Sequence, residues 1–115
     1  MDAETRSVEF DGRAVTLDAD GHLVDPEDWN EALAEAMAHS DGVELDALRW
    51  WLIRFVRDHH RRYGTPPLMR IVVRSMREQT ACRDASSRTL YRLFPDGPIR
   101  EACRYGGLPR PDSCI

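Results

Sequence analysis

The stretch Glu44-Leu45-Asp46-Ala47-Leu48-Arg49-Trp50-Trp51-Leu52-Ile53-Arg54-Phe55-Val56-Arg57-Asp58-His59-His60-Arg61-Arg62-Tyr63-Gly64 sets the class of the fold. From Leu45 onward the apolar positions Leu48, Trp51, Leu52, Phe55, Val56 and Tyr63 recur at helical spacing, with Arg54, Arg57, Asp58, Arg61 and Arg62 between them. That period predicts one long central helix whose apolar stripe contributes most of the core.

On the C-terminal side, Thr65-Pro66 is expected to open a second helix with Leu68, Met69, Val72, Val73 and Met76 on its buried face. The polar run 78–87 reads as a loop, and Leu90, Leu93 and Phe94 mark a short helix. Pro95-Asp96-Gly97-Pro98 is a turn leading into another helix with Ile99, Ala102 and Cys103 on one face, ended by Gly106-Gly107. On the N-terminal side, Val8, Phe10, Val15 and Leu17 flank Asp11-Gly12 and predict a β-hairpin, with a further turn at Asp20-Gly21. Asp25-Pro26-Glu27-Asp28 combines a cap, a first-turn proline and early acids, predicting a helix that runs to about Ala38 and stops near Gly42. The expected class is mainly α with a small N-terminal β-hairpin.

A chain of 115 residues, 42% hydrophobic and 31% charged, fits one domain with a modest core. Three Trp, three Tyr and three Phe at spaced positions argue against disorder throughout. No apolar run approaches membrane-spanning length and no basic-then-apolar leader is present, so a cytoplasmic protein without direct membrane insertion is expected. All 16 basic residues are Arg, which excludes a Schiff-base lysine and a phosphate-loop lysine. The net charge of −4 conceals an asymmetry: residues 1–48 hold 14 acids against two Arg, and residues 49–115 hold six acids against 14 Arg. Short helices with sharp turns and an Arg-rich second half make a DNA-binding, helix-turn-helix-like regulator an alternative reading. Against it, the arginines are scattered around the helices and the whole chain is acidic.

Three cysteines are too few for a disulfide scaffold and lack zinc-ligand spacing, and His59-His60 point about 100° apart on a helix. No metal or organic cofactor is expected. The tail 108–115 has two prolines and no helical period, so an extended arm moving about Gly106 and Gly107 is expected beyond a domain of residues 1–107. Cys114 sits at the penultimate position, where an exposed thiolate can attack a disulfide or accept sulfane sulfur as a persulfide. A terminal residue under no functional demand is the plain alternative. Cys103 lies 11 positions earlier, and a tail that folds back brings the two sulfurs within bonding reach. For Cys103 the structural explanation is the stronger one, a small core residue sharing an apolar helical face with Ile99 and Ala102. Cys82, in the polar loop, reads as incidental.

Leu90-Tyr91-Arg92-Leu93-Phe94-Pro95-Asp96-Gly97-Pro98, then Ala102-Cys103-Arg104, then Gly107-Leu108-Pro109-Arg110-Pro111 and Cys114-Ile115 resemble the C-terminal signature of the DsrC/TusE family of sulfur carriers. The similarity extends through Asp20-Gly21-His22-Leu23-Val24, Asp28-Trp29, Arg54-Phe55-Val56-Arg57-Asp58, Tyr63-Gly64, Pro67 and Arg70. It covers residues 8 to 115. The resemblance implies a β-hairpin on a small orthogonal helical bundle with a mobile C-terminal arm. It implies that Cys114 is the sulfur-carrying residue and Cys103 the second, resolving thiol of DsrC-type members, whereas TusE-type members relay sulfur for tRNA thiolation with one cysteine. Where the family has Thr-Gly before the terminal cysteine, this chain has Asp112-Ser113, and the Asp112 charge disfavours a neighbouring thiolate.

The expected function is therefore sulfur transfer: a protein co-substrate of sulfurtransferase type, not a stand-alone enzyme, that binds sulfane sulfur on Cys114 and exchanges it through a Cys103–Cys114 disulfide or trisulfide. The resemblance implies that sulfite reductase generates such a trisulfide and that sulfur oxidisers run the chemistry in reverse. Sulfite reductase (DsrC is described as its gamma subunit) or sulfurtransferase proteins are the implied partners, with a thiol oxidoreductase of a membrane complex as a further one. A TusE-like single-cysteine relay for tRNA thiolation, a purely structural subunit with dispensable cysteines, and the DNA-binding regulator are the competing readings.

Overall fold

The computed structural model describes residues 4–111. Among these, the chain forms strands β1 (Thr5–Phe10) and β2 (Arg13–Asp18), a one-turn 3-10 helix (Pro26–Asp28), and helices α1 (Glu31–Ser40), α2 (Ala47–Tyr63), α3 (Met69–Gln79), α4 (Ser87–Leu93) and α5 (Pro98–Tyr105). The mainly helical class with an N-terminal hairpin is as the sequence predicts. Asp11 and Gly12 both take positive φ, 51° and 79°, the tight turn whose twist matches antiparallel strands. That turn sets the register Val8↔Val15, with Val15 and Leu17 alternating into the core. A second reversal at Gly21 returns the chain along β2, where Leu17 bridges Leu23 and Asp18 N–H donates to the His22 carbonyl at 2.8 Å.

Two helix starts differ from expectation. Asp25 caps only the 3-10 turn, accepting from Glu27 N–H at 3.0 Å, and the chain then extends at Trp29 before Asn30 caps α1 through Leu33 N–H at 2.7 Å. The expected single helix is two elements because Trp29 leaves helical geometry to lay its indole against the C-terminal segment. Likewise α3 begins at Met69 rather than Thr65-Pro66, since each proline biases the residue before it towards extended backbone.

Helix α2 is the centre of the molecule, capped by Asp46 and ended by Gly64 at φ 73°. Its innermost residues are Leu52, Ile53 and Val56, while Leu48, Trp50, Trp51 and Phe55 pack around them. Tyr63 is exposed, and so is Leu68, which the sequence places on the buried face of the next helix. α5 packs on α2, and α3 and α4 close the bundle. Among the described residues no helix is long and apolar enough to cross a membrane.

The charge asymmetry of the sequence is partly closed by the fold. Arg54 pairs with Glu31 at 3.2 Å, Arg104 with Asp41 at 2.5 Å and Arg110 with Asp20 at 3.3 Å, each an ion pair between the basic and acidic halves.

Candidate functional site

Helix α5 starts at Pro98, which supplies the helical φ and needs no N–H partner, and is capped at Gly106. Its inward face carries Ile99, Ala102 and Cys103 together into the core, with Tyr105 beside them. Cys103 is fully buried, and burial pushes its thiol up to about 12 from 9.0. At neutral pH it is therefore a protonated thiol, and protonated thiols are poor nucleophiles. Cys114, the other expected sulfur residue, lies outside the described residues, as do Asp112 and Ser113. Cys82 is half-buried in the loop after α3, with its thiol 3.8 Å from Asp84 Oδ1.

Beyond Cys103 the backbone runs through a set of polar contacts from distant elements. Trp29 Nε1 donates to the Tyr105 carbonyl at 2.7 Å, and the Arg57 guanidinium donates to the Gly106 carbonyl. The Leu108 N–H donates to the Cys103 carbonyl at 2.9 Å. The Leu108 carbonyl faces His22 Nδ1 at 2.9 Å; a carbonyl only accepts, so Nδ1 carries the hydrogen. His22 is buried, and its backbone N–H donates to Asp18 Oδ1 at 2.9 Å.

These groups also support one another. Arg57 Cζ lies 3.7 Å from the centre of the Trp29 ring, a close cation–π contact. Burial draws the Arg57 pKa down, the nearby Arg61 charge adds to this, and Asp58 works against it. Gly107 sits against the same indole in the left-handed region, at φ 70°. A Cβ there would fall 2.5 Å from Trp29 Cδ1. Gly106 is also confined, though less tightly, its Cβ position lying 2.8 Å from the Ala102 carbonyl oxygen and 3.1 Å from Arg57 Cγ.

On the other side of α5, Arg104 bonds Glu101 at 2.8 Å and Asp41 at 2.5 Å, and Tyr105 Oη donates to the same Asp41 oxygen at 2.7 Å. Burial opposes the Arg104 charge, yet the bonds to Glu101 and Asp41 outweigh it and raise its pKa above the ordinary arginine value. Tyr105 is pushed up by burial first and by the Asp41 carboxylate second. Removing the guanidinium takes from Glu101, whose side chain is 13% exposed, its 2.8 Å partner and leaves it Arg100 at 3.8 Å. Arg104→Met should therefore cost about 2 kcal/mol, read as a drop in the urea midpoint at unchanged slope. A cost below about 0.5 kcal/mol would show that the pair behaves as an exposed one.

Sequence reasoning placed Cys103 on the correct helix face but assigned no role to His22, Trp29 or Arg57. All three lie in the segments that carry the family resemblance; no local spacing connects them with the tail, from which they are 49 to 86 positions distant.

A family model described as DsrC like protein matches residues 9–115. The chain is 40% identical over 108 residues to the sulfurtransferase TusE of Pectobacterium atrosepticum, covering 94% of this chain and 99% of that one. Its fold is similar to the oxidized gamma-subunit of the dissimilatory sulfite reductase (DsrC) from Archaeoglobus fulgidus, with a TM-score of 0.83 at 36% identity, covering 96% of this chain and 100% of that one. The structure of Allochromatium vinosum DsrC is also similar, with a TM-score of 0.81 at 33% identity over 97% of this chain and 100% of that one. With its hairpin, its helical order and both cysteine positions inside the matched span, the chain belongs to the DsrC/TusE family of sulfur-relay proteins.

Proposed function

We propose that this protein carries sulfane sulfur as a persulfide on Cys114 and that Cys103 resolves it after the arm's root opens at Gly106 and Gly107. The observation that carries the reading is the continuity of the family match to residue 115, which brings Cys103 and Cys114 into one matched segment. In the exchange step the Cys103 thiolate attacks Cys114 Sγ, a Cys103–Cys114 disulfide forms and hydrosulfide leaves. The sulfane sulfur is reduced to sulfide and the two cysteine sulfurs are oxidised, so electrons balance without a further reagent. Donor and acceptor are proteins of the sulfurtransferase or sulfite reductase class.

A second reading has its own support. Because Cys103 is buried and protonated in the folded domain, the closed state behaves as a one-cysteine relay of the TusE type, handing sulfur on from Cys114 alone.

Intact-mass measurement after incubation with a sulfane-sulfur donor tests both. One added sulfur is expected, lost entirely in Cys114→Ala. Cys103→Ser should still load but should not release sulfide through an internal disulfide. Loading confined to Cys82 would overturn the assignment of Cys114, and sulfide release unchanged in Cys103→Ser would leave the one-cysteine relay.

A further inference from the structure

Three side chains from three separate elements reach the four-residue segment that follows Arg104. Trp29, between the 3-10 turn and α1, holds the Tyr105 carbonyl; Arg57 of α2 holds the Gly106 carbonyl; His22, in the return after β2, holds the Leu108 carbonyl. Two of these segment residues are glycines and have no side chains of their own to anchor them. The bond from Leu108 N–H to the Cys103 carbonyl ties the far end of the segment back to the cysteine. Tyr105 and Leu108 are also held by buried side chains, whereas Gly106 and Gly107 are fastened through the backbone, and Cys103, on the helix that the segment follows, is fully buried.

We propose that Trp29, Arg57 and His22 are positioning residues for sulfur exchange, forming a latch that keeps Cys103 covered and must open before the two cysteines react with each other. The inference rests on the reading that Cys114 carries the sulfur. With the latch closed the chain passes sulfur on from one cysteine; with it open the resolving thiol is admitted. The latch contacts are side-chain hydrogen bonds to backbone, each replaceable by water on opening, which is the character expected of a sub-global opening rather than of whole-domain unfolding. The Arg57–Trp29 stack couples two of the three groups, so removing either loosens both.

The test is the alkylation rate of Cys103 by iodoacetamide at pH 8 in the full chain carrying Cys82→Ser and Cys114→Ala, where Cys103 is the remaining thiol. In this parent the rate should be nearly independent of low urea concentrations, because a local opening exposes little surface. Trp29→Phe keeps the ring but loses the donor, and should raise the rate about tenfold, the worth of one buried hydrogen bond. His22→Leu should do the same. His22→Asn, whose amide nitrogen occupies the Nδ1 position, should restore a near-parental rate. Should labelling instead show the urea slope of global unfolding, or accelerate only in proportion to lost global stability, or respond equally to His22→Asn and His22→Leu, the latch is refuted. No sulfur enters this experiment, so a latch that behaves as stated while Cys114 fails to load sulfur would refute the carrier reading and its exchange role, leaving the opening itself established.

Discussion

Native Cys103 should react with alkylating reagents about a thousandfold more slowly than the same residue in the unfolded chain at pH 8. Burial raises the thiol from 9.0 to about 12, and three pKa units correspond to about a thousandfold less thiolate. Reduced access through the covering segment slows it further. The same shift links stability to pH. Between about pH 9 and 12 the unfolded chain releases the Cys103 proton while the folded chain keeps it, so the folded state binds more protons and stability falls as pH rises. Below pH 9 the contribution is fully present. Tyr105, also pushed up by burial, adds to the loss in the same direction. Urea midpoints of the parent and of Cys103→Ser, followed from pH 8 to 11, isolate the cysteine's share. Serine does not titrate, so the variant's curve should be the flatter by an amount approaching about 3 kcal/mol. Parallel curves would show that Cys103 reaches solvent in the folded state.

Gly107→Ala should be the most destabilising single-methyl substitution in the C-terminal segment. Two costs combine. Alanine at φ 70° costs about 1 kcal/mol, and its Cβ would meet Trp29 at 2.5 and 2.6 Å on the indole and 2.7 Å at Cβ. The indole has no easy retreat, being bonded to the Tyr105 carbonyl on its edge and stacked with Arg57 on its face. Overpacking of this kind adds about 1–3 kcal/mol, a large fraction of the ~5–15 kcal/mol that stabilises a small domain. Gly12→Ala provides the control: its φ of 79° is similar, but no atom lies within 4 Å of its Cβ, so only the backbone cost applies. Chemical denaturation should therefore separate the two by about 2 kcal/mol, and Trp29→Ala should recover part of the loss in a double-mutant cycle. Equal costs at Gly12 and Gly107 would sink the claim that the indole confines this segment.

These expectations bear on the choice between one- and two-cysteine chemistry. A cysteine that is buried with its thiol pushed up contributes to packing in the folded domain. On the proposed latch, the reactivity of Cys103 follows from the opening of the segment after α5.

Elements built from near neighbours were legible in the sequence. Asp11-Gly12 dictates the hairpin because its residues accept positive φ, and the 3.6-residue recurrence from Leu48 to Val56 dictates α2 because side chains three and four positions apart share a face. Pro98 and Gly106-Gly107 bound α5 for equally local reasons, and the spacing of Ile99, Ala102 and Cys103 already placed the thiol on an apolar face. The tertiary structure alone decided the rest. Trp29 interrupts an otherwise well-signalled helix because its indole is required 76 positions away, at the Tyr105 carbonyl. The acidic and basic halves, read apart, look like a charged surface, but packing brings Glu31 to Arg54 and Asp41 to Arg104. His22 and Arg57 reach the tail for the same reason. Local preferences depend on backbone torsions and the next turn of chain, whereas these pairings exist only once helices and hairpin have packed and brought distant backbone carbonyls within hydrogen-bond reach.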